Sequence, residues 1–161
     1  MPPFLFLSKI DLMKKQEKIQ KLIKAANDLV SVSYEYGAYL KNPSAEKPKK
    51  VDCSSFIQHI FSRIGVELPR SSLLQAAKGK EIKNPADLSA GDLLFFEGVK
   101  GHYSHKLFPD KKIYIGHAAI YIGNNEIIHA RESKKRVAKQ KLSSLAKNKH
   151  FDIKLIKRII S

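Results

Sequence analysis

A single cysteine occurs in 161 residues. No internal disulfide can form, so bridges say nothing about compartment, and paired-cysteine metal knuckles are excluded. The HExxH spacing of a helical zinc site is absent as well. No apolar run reaches the roughly 18 residues of a membrane-spanning helix, so no span is expected. Acidic side chains are scarce: 15 Asp and Glu face 30 Lys and Arg, for a formal charge of +15. A field of that sign gathers anionic partners. The lysines are scattered and form no stripe with interleaved aromatics, so nucleic acid is not the expected partner. There is no internal repeat and no low-complexity segment. Phe4 to Leu7 is apolar, but it is shorter than the roughly 7–15 residues of a secretory core and lacks a basic residue ahead of it.

What remains is a chain of ordinary globular composition, long enough for one domain with its own core. Met13-Lys14-Lys15 resembles a second start, so residues 1–14 are expected to be an N-terminal tail and 15–161 a single domain. Ile19, Leu22, Ile23, Ala26, Leu29 and Val30 recur at helical spacing and predict an amphipathic helix over 15–31. Residues 41–50, with two prolines and four lysines, predict an exposed loop. Asp52 is a good N-cap for a second helix, whose apolar positions 53, 56, 57, 60, 61 and 64 make one stripe ending at Gly65. Ser71 to Lys78 predicts a short helix and Asp92 to Phe96 a short strand. Residues 97–112 predict a long loop. Ile113 to Ile122 and Glu126 to Ala130 predict a hairpin around Gly123-Asn124-Asn125. Residues 134–141 read as a basic loop, 142–147 as a short helix and 153–159 as a last strand. Helices first and antiparallel strands after argue for an α+β fold.

Cys53 falls in the first turn of the second helix. Unpaired N–H groups and the helix dipole favour negative charge there, which lowers a thiol pKa and can cradle an oxyanion. A nucleophile needs a base, and the base needs an orienting partner. His117 and His129 lie on the two strands of the hairpin, 12 residues apart and near its open end, so both can project to one face. Among the other histidines, His59 lies off the apolar stripe and is expected in solvent. His102 and His105 form a weak HxxH pattern in a loop. His150 has no sequence partner. A zinc site from Cys53, His117 and His129 is the alternative chemistry, without a supporting spacing.

In this order the segments resemble the NlpC-type (NlpC/p-sixty) cell-wall peptidases, which are papain-like cysteine hydrolases. Tyr34-Glu35-Tyr36-Gly37 resembles the family's Tyr-x-Trp-Gly-Gly segment, and Val51-Asp52-Cys53-Ser54-Ser55-Phe56 its Asp-Cys-Ser-Gly-Phe motif. Leu68-Pro69-Arg70-Ser71-Ser72 with Gln75 is similar to its Leu-Pro-Arg segment, and Leu88 to Phe96 to its Gly-Asp strand. Gly116 to Gly123 and Ile127-Ile128-His129-Ala130 resemble the segments carrying the base and its orienter. Ser55 and Ala38 each replace a family glycine, and the loops at 41–50 and 97–115 are long.

The resemblance implies a papain-like fold, with N-terminal helices packed on a small antiparallel sheet and the nucleophile at the start of a buried helix. It implies Cys53 as nucleophile, His117 as general base and His129 as orienter, with Tyr34 on the oxyanion side. Asp52 and Ser54 match positions that bind a free L-Ala amine in some members, and Arg70 matches a structural residue. The implied activity is hydrolysis of peptidoglycan stem peptides at the γ-D-glutamyl–diaminoacid bond, through a thioester, with no metal and no cofactor. The implied substrate is peptidoglycan or a muropeptide, with anionic wall polymers attracted by the basic surface and a monomer expected. Two alternatives stand beside this: a papain-like amidase or acyltransferase on another amide or ester, and a non-catalytic basic protein binding wall or nucleic acid. The substrate lies in the envelope while no clear export signal is visible, so localisation stays open between envelope, cytoplasmic recycling and a phage or effector origin.

Overall fold

The computed structural model describes residues 8–45 and 47–161. Among the described residues, three helices come first: α1 (Lys9–Asp28), α2 (Cys53–Ser62) and α3 (Ser72–Ala76). Eight strands follow or interleave: β1 (Ser33–Tyr34), β2 (Lys50–Val51), β3 (Lys80–Glu81), β4 (Leu93–Phe96), β5 (His117–Gly123), β6 (Glu126–Arg131), β7 (Arg136–Lys141) and β8 (Ile153–Arg158). They make one sheet in the order β2-β1-β7-β6-β5-β4-β8-β3. β1 and β2 are parallel and every other pairing is antiparallel. The fold is α+β, as the element order predicts.

Helix α1 starts six residues earlier than the periodicity predicts, so residues 9–14 are helical; residues 1–7 of the expected tail lie outside the described residues. The Ser8 side chain accepts from the Asp11 amide at 3.0 Å, which caps the helix although its first turns stay exposed. The helix also ends early. Ser31 takes φ 78, its N–H donates to Val137 O, and Val137 N–H donates back to Val32 O. Pairing with the sheet overrides helical periodicity there.

The segment expected as a basic loop, 134–141, is a strand instead. Lys135 turns the chain at φ 56, and β7 then pairs with β6 over six residues, burying Val137 and Ala138 while its basic side chains face out. The first half of the expected strand 113–122 is not in β5. Ile115 pairs only with His102 of the long loop. At Gly116, an added Cβ would meet Glu97 O at 2.5 Å and Lys100 O at 2.7 Å, so the crossing of that loop requires a glycine. The helix expected over 142–147 is a single 3-10 turn, Leu142–Leu145.

The sheet packs on both faces. Phe56, Ile57, Ile60 and Phe61 of α2, with Leu22, Ala26 and Leu29 of α1, cover Leu93, Phe95, Ala118, Ile120, Ile128 and Ala130. Each fully buried Phe or Ile of that layer contributes about 1.5–3 kcal/mol by leaving water. The opposite face carries Leu94, Phe96, Ala119, Ile127 and Ile156, covered by Leu145 and Phe151. One buried ion pair ties the sheet together. Arg158 Nε and Nη2 donate to Asp92 Oδ1 and Oδ2 at 2.8 and 2.9 Å, and Asp92 Oδ2 also accepts from Ser89 N–H.

Candidate active site

Helix α2 begins where the sequence places it. Asp52 caps it, accepting from Ser55 N–H at 2.9 Å, while the Asp52 amide donates to Ser55 Oγ at 2.9 Å. This reciprocal cap explains why a serine serves at position 55. Cys53 is therefore the first helical residue. Its thiol lies 3.8 Å from Gly116 O, and the residue is half-buried on the wall of a cleft of about 700 Å³. Tyr34, Asp52, Ser54 and His117 line the same cleft. The loop expected at 97–115 closes one side: Lys100 Nζ sits 4.1 Å over the Tyr36 ring.

His129 does not line the cleft but stands behind His117. Its Nδ1 is 2.8 Å from His117 Nε2, and its Nε2 is 2.7 Å from Gln140 Oε1. The hairpin brings the rings together through a bulge. Asn124 and Asn125, both at positive φ, form a two-residue turn that pairs Gly123 with Glu126. That register would put His117 and His129 on opposite faces. One extra residue between Tyr121 and Gly123 shifts the pairing, so that Tyr121 meets Ile127 and Ile120 meets Ile128. From there on His117, Ala119, Ile127 and His129 share a face. Phe151 packs edge-on against both imidazoles, at 5.3 and 5.8 Å between ring centroids, and Phe96 flanks His117 at 5.8 Å.

The electrostatics depart from the simple helix-dipole expectation. Burial, and then the adjacent Asp52 carboxylate, push the Cys53 thiol up to about 12; the amides of Ala118 and Ser54 and the Arg70 guanidinium pull it down by less. Burial lowers His117 well below the usual imidazole range, with His129 and Arg131 adding in the same direction. Burial lowers His129 to about 4 against the opposing hydrogen bond to Gln140. Both directions favour a neutral thiol and a neutral imidazole at rest. Burial also raises the Tyr34 phenol, followed by the Cys53 and Glu132 charges, so its hydroxyl stays a donor.

Asp52 and Ser54 are engaged by Arg70. Its Nη2 donates to Asp52 Oδ2 at 2.7 Å, and its Nη1 to Asp52 Oδ1 at 3.2 Å and Ser54 Oγ at 2.7 Å. Nη2 also reaches Ala38 O at 2.9 Å, and Gly37 N–H donates to Asp52 Oδ2 at 3.2 Å. Arg70 thus fastens the Tyr34-to-Ala38 segment to the start of α2. Gln75 Nε2 reinforces the same corner, donating to Ser54 O at 3.0 Å and Pro69 O at 2.8 Å.

His59 is buried, contrary to the expectation of solvent. Its Nδ1 is 2.7 Å from Pro43 O, which also accepts from Ser62 Oγ, so the 41–50 loop covers the polar face of α2. Of the loop histidines, His105 Nδ1 pairs with the Tyr103 hydroxyl at 3.2 Å. No cluster of three His, Cys, Asp or Glu able to hold a metal occurs among the described residues. His150, without a sequence partner, lines the cleft and holds Gly98 O at 3.0 Å. No sequence motif contains Arg131, Gln140 or Phe151; the pairing of β7 with β6 puts Gln140 near His129.

The NlpC/P60 family model matches residues 31–155. The chain belongs to the NlpC/P60 family. Among NlpC/P60 relatives, a probable endopeptidase NlpC homolog of Haemophilus influenzae is 34% identical over 105 residues, 65% of this chain and 44% of that protein. A gamma-DL-glutamyl hydrolase of Bacillus subtilis is 31% identical over 131 residues, 80% of this chain and 27% of that protein. The chain spans less than half the length of these two curated relatives. The P60 domain of a Mycobacterium avium subspecies paratuberculosis antigen superposes with TM-score 0.67 at 23% identity, covering 92% of this chain and 98% of that one. The Mycobacterium tuberculosis peptidoglycan hydrolase RipB superposes with TM-score 0.66 at 21% identity, covering 96% and 69%. Likeness at that identity establishes a shared NlpC/P60 fold.

Proposed function

We propose that this chain is a papain-like cysteine peptidase that hydrolyses peptidoglycan stem peptides at the γ-D-glutamyl–diaminoacid amide bond. The observation that carries the reading is one cleft lined by Cys53 at a helix start and by His117, with the His117 Nε2 taken up by His129. In this reading the substrate carbonyl enters beside Cys53. His117 accepts the thiol proton as sulfur attacks, since neither group is charged at rest. The α2 N-terminus and the Tyr34 hydroxyl donate to the developing oxyanion. His117 gives the proton to the leaving amine, then removes one from the water that hydrolyses the thioester, and His129 holds the ring in place. The excess positive charge draws the enzyme to anionic wall polymers.

Purified peptidoglycan and defined stem peptides, digested side by side and resolved by mass spectrometry, test the reading. Cleavage at the γ-D-glutamyl bond that vanishes in Cys53→Ala and His117→Ala is the expected result. Cleavage that survives in Cys53→Ala overturns the mechanism. One observation favours a second reading, an amidase or acyltransferase on another amide or ester. Asp52 and Ser54, which would receive a free L-Ala amine, are already bound by Arg70. The same products decide: indifference to a free N-terminus supports the second reading.

A further inference from the structure

Behind the two histidines a polar chain continues across the sheet. His129 Nε2 lies 2.7 Å from Gln140 Oε1, and Arg131 Nη1 lies 3.1 Å from the same oxygen. Gln140 sits on β7 opposite Ile127, and His129 is opposite Ala138, so Gln140 is the diagonal neighbour of His129 on the same face. We propose that Gln140, locked by Arg131, is a positioning residue that fixes the tautomers of both histidines and leaves Nδ1 of His117 as its proton acceptor.

Each step follows from donor and acceptor matching. An arginine donates and never accepts. The Gln140 atom facing it must therefore be the carbonyl oxygen, because an amide nitrogen there would set donor against donor; this removes the usual ambiguity of a glutamine flip. The oxygen accepts only, so the hydrogen shared with His129 sits on His129 Nε2. A neutral imidazole carries one N–H, which leaves His129 Nδ1 with its lone pair. That lone pair is 2.8 Å from His117 Nε2, so the hydrogen between the rings belongs to His117 Nε2. Neutral His117 then keeps its lone pair at Nδ1. When His117 takes up a proton there, its Nε2–H still donates to His129, and nothing need rearrange.

The surroundings hold this state. The Arg131 guanidinium lies 4.7 Å over the Phe151 ring, which in turn packs on both imidazoles. The charged and titratable groups nearby come from every packed element: His117 on β5, Arg131 and Glu132 at the end of β6, Cys53 and Asp52 at α2, and His150 beside Phe151. Burial and the Arg131 cation both disfavour a proton on His129, which keeps it a neutral relay.

Gln140 matters to turnover only if Cys53, His117 and His129 do, so this inference rests on the function proposed above. The test begins with the intact wild-type chain, labelled with ¹⁵N-histidine, in long-range ¹H–¹⁵N correlation at neutral pH. Both His117 and His129 are expected as the Nε2–H tautomer; His129 as Nδ1–H overturns the proposal. Gln140→Leu, which cannot accept, is expected to blur the His129 tautomer and lower kcat at least about tenfold, within the about 10²–10⁴-fold that a general base supplies. KM should move less than about twofold, and Gln140→Glu, which accepts from both neighbours, should recover most of kcat. Wild-type tautomers and kcat in Gln140→Leu refute the inference. If Gln140→Leu does not fold, the wild-type spectrum and Gln140→Glu still decide. Activity that survives in Cys53→Ala would instead sink the catalytic reading, while leaving the tautomers as they are.

Discussion

Cys53 is the only thiol in the chain, so its alkylation can be followed by intact mass without locating the site. Burial and the Asp52 carboxylate hold it at about 12. An unfolded cysteine, near 8.5, is about one-tenth thiolate at pH 7.5. The native residue is then roughly 3.5 decades poorer in thiolate. A more basic thiolate is more nucleophilic, and a Brønsted slope of about 0.4–0.5 returns roughly 1.5 decades. The net expectation is that iodoacetamide alkylates native Cys53 about a hundredfold more slowly than the same chain in urea, with a rate still climbing at pH 9–10. His117→Ala should leave the native rate nearly unchanged, because the resting imidazole is neutral and holds no thiolate. A native rate that exceeds the unfolded one and levels off below pH 7 would refute the reasoning. It would mean that the helix N-terminus and an imidazolium partner outweigh burial. Slow alkylation here is therefore no argument against the proposed mechanism, in which proton transfer to His117 during attack supplies the thiolate that the resting state lacks.

Arg70→Met removes the cation from Asp52, whose side chain is only 9% exposed. Leaving that carboxylate unpaired should cost about 3 kcal/mol in urea unfolding, the low end for a buried pair because Arg70 is a third exposed, and Asp52→Asn in the same chain should recover part of it. The buried histidines also make stability depend on pH. Because the native His129 pKa is about 4, the unfolded chain takes up a proton first as pH falls through about 6.5. Its contribution is full above pH 6.5 and is lost progressively towards pH 4, at up to about 1.4 kcal/mol per pH unit. Denaturation at pH 7.5, 6 and 5 should show a shallower slope for His129→Gln than for wild type; identical slopes would exclude the buried neutral ring as the cause.

The chain by itself determined whatever is local. Asp52 as a cap, the apolar stripe from Phe56 to Phe61 and the turn at Asn124-Asn125 are near-neighbour effects, so α2, the hairpin and the placing of Cys53 in a first helical turn were legible. The α+β order followed from the sequence of periodicities. Other features belonged to the tertiary structure. The strand at Arg136–Lys141 has no apolar alternation of its own and forms because β6 offers it an edge. His59 is buried because the loop carrying Pro43, 16 residues upstream, covers it. The face shared by His117 and His129 depends on one bulge residue, since a shift of a single position turns a strand's side chains over. The height of the Cys53 pKa depends on how much protein surrounds a helix start that, on its own, would lower it. Neighbours in sequence decide conformation through short-range sterics and hydrogen bonds. Burial, register and charge environment are sums over residues far apart in the chain, and only the folded arrangement fixes them.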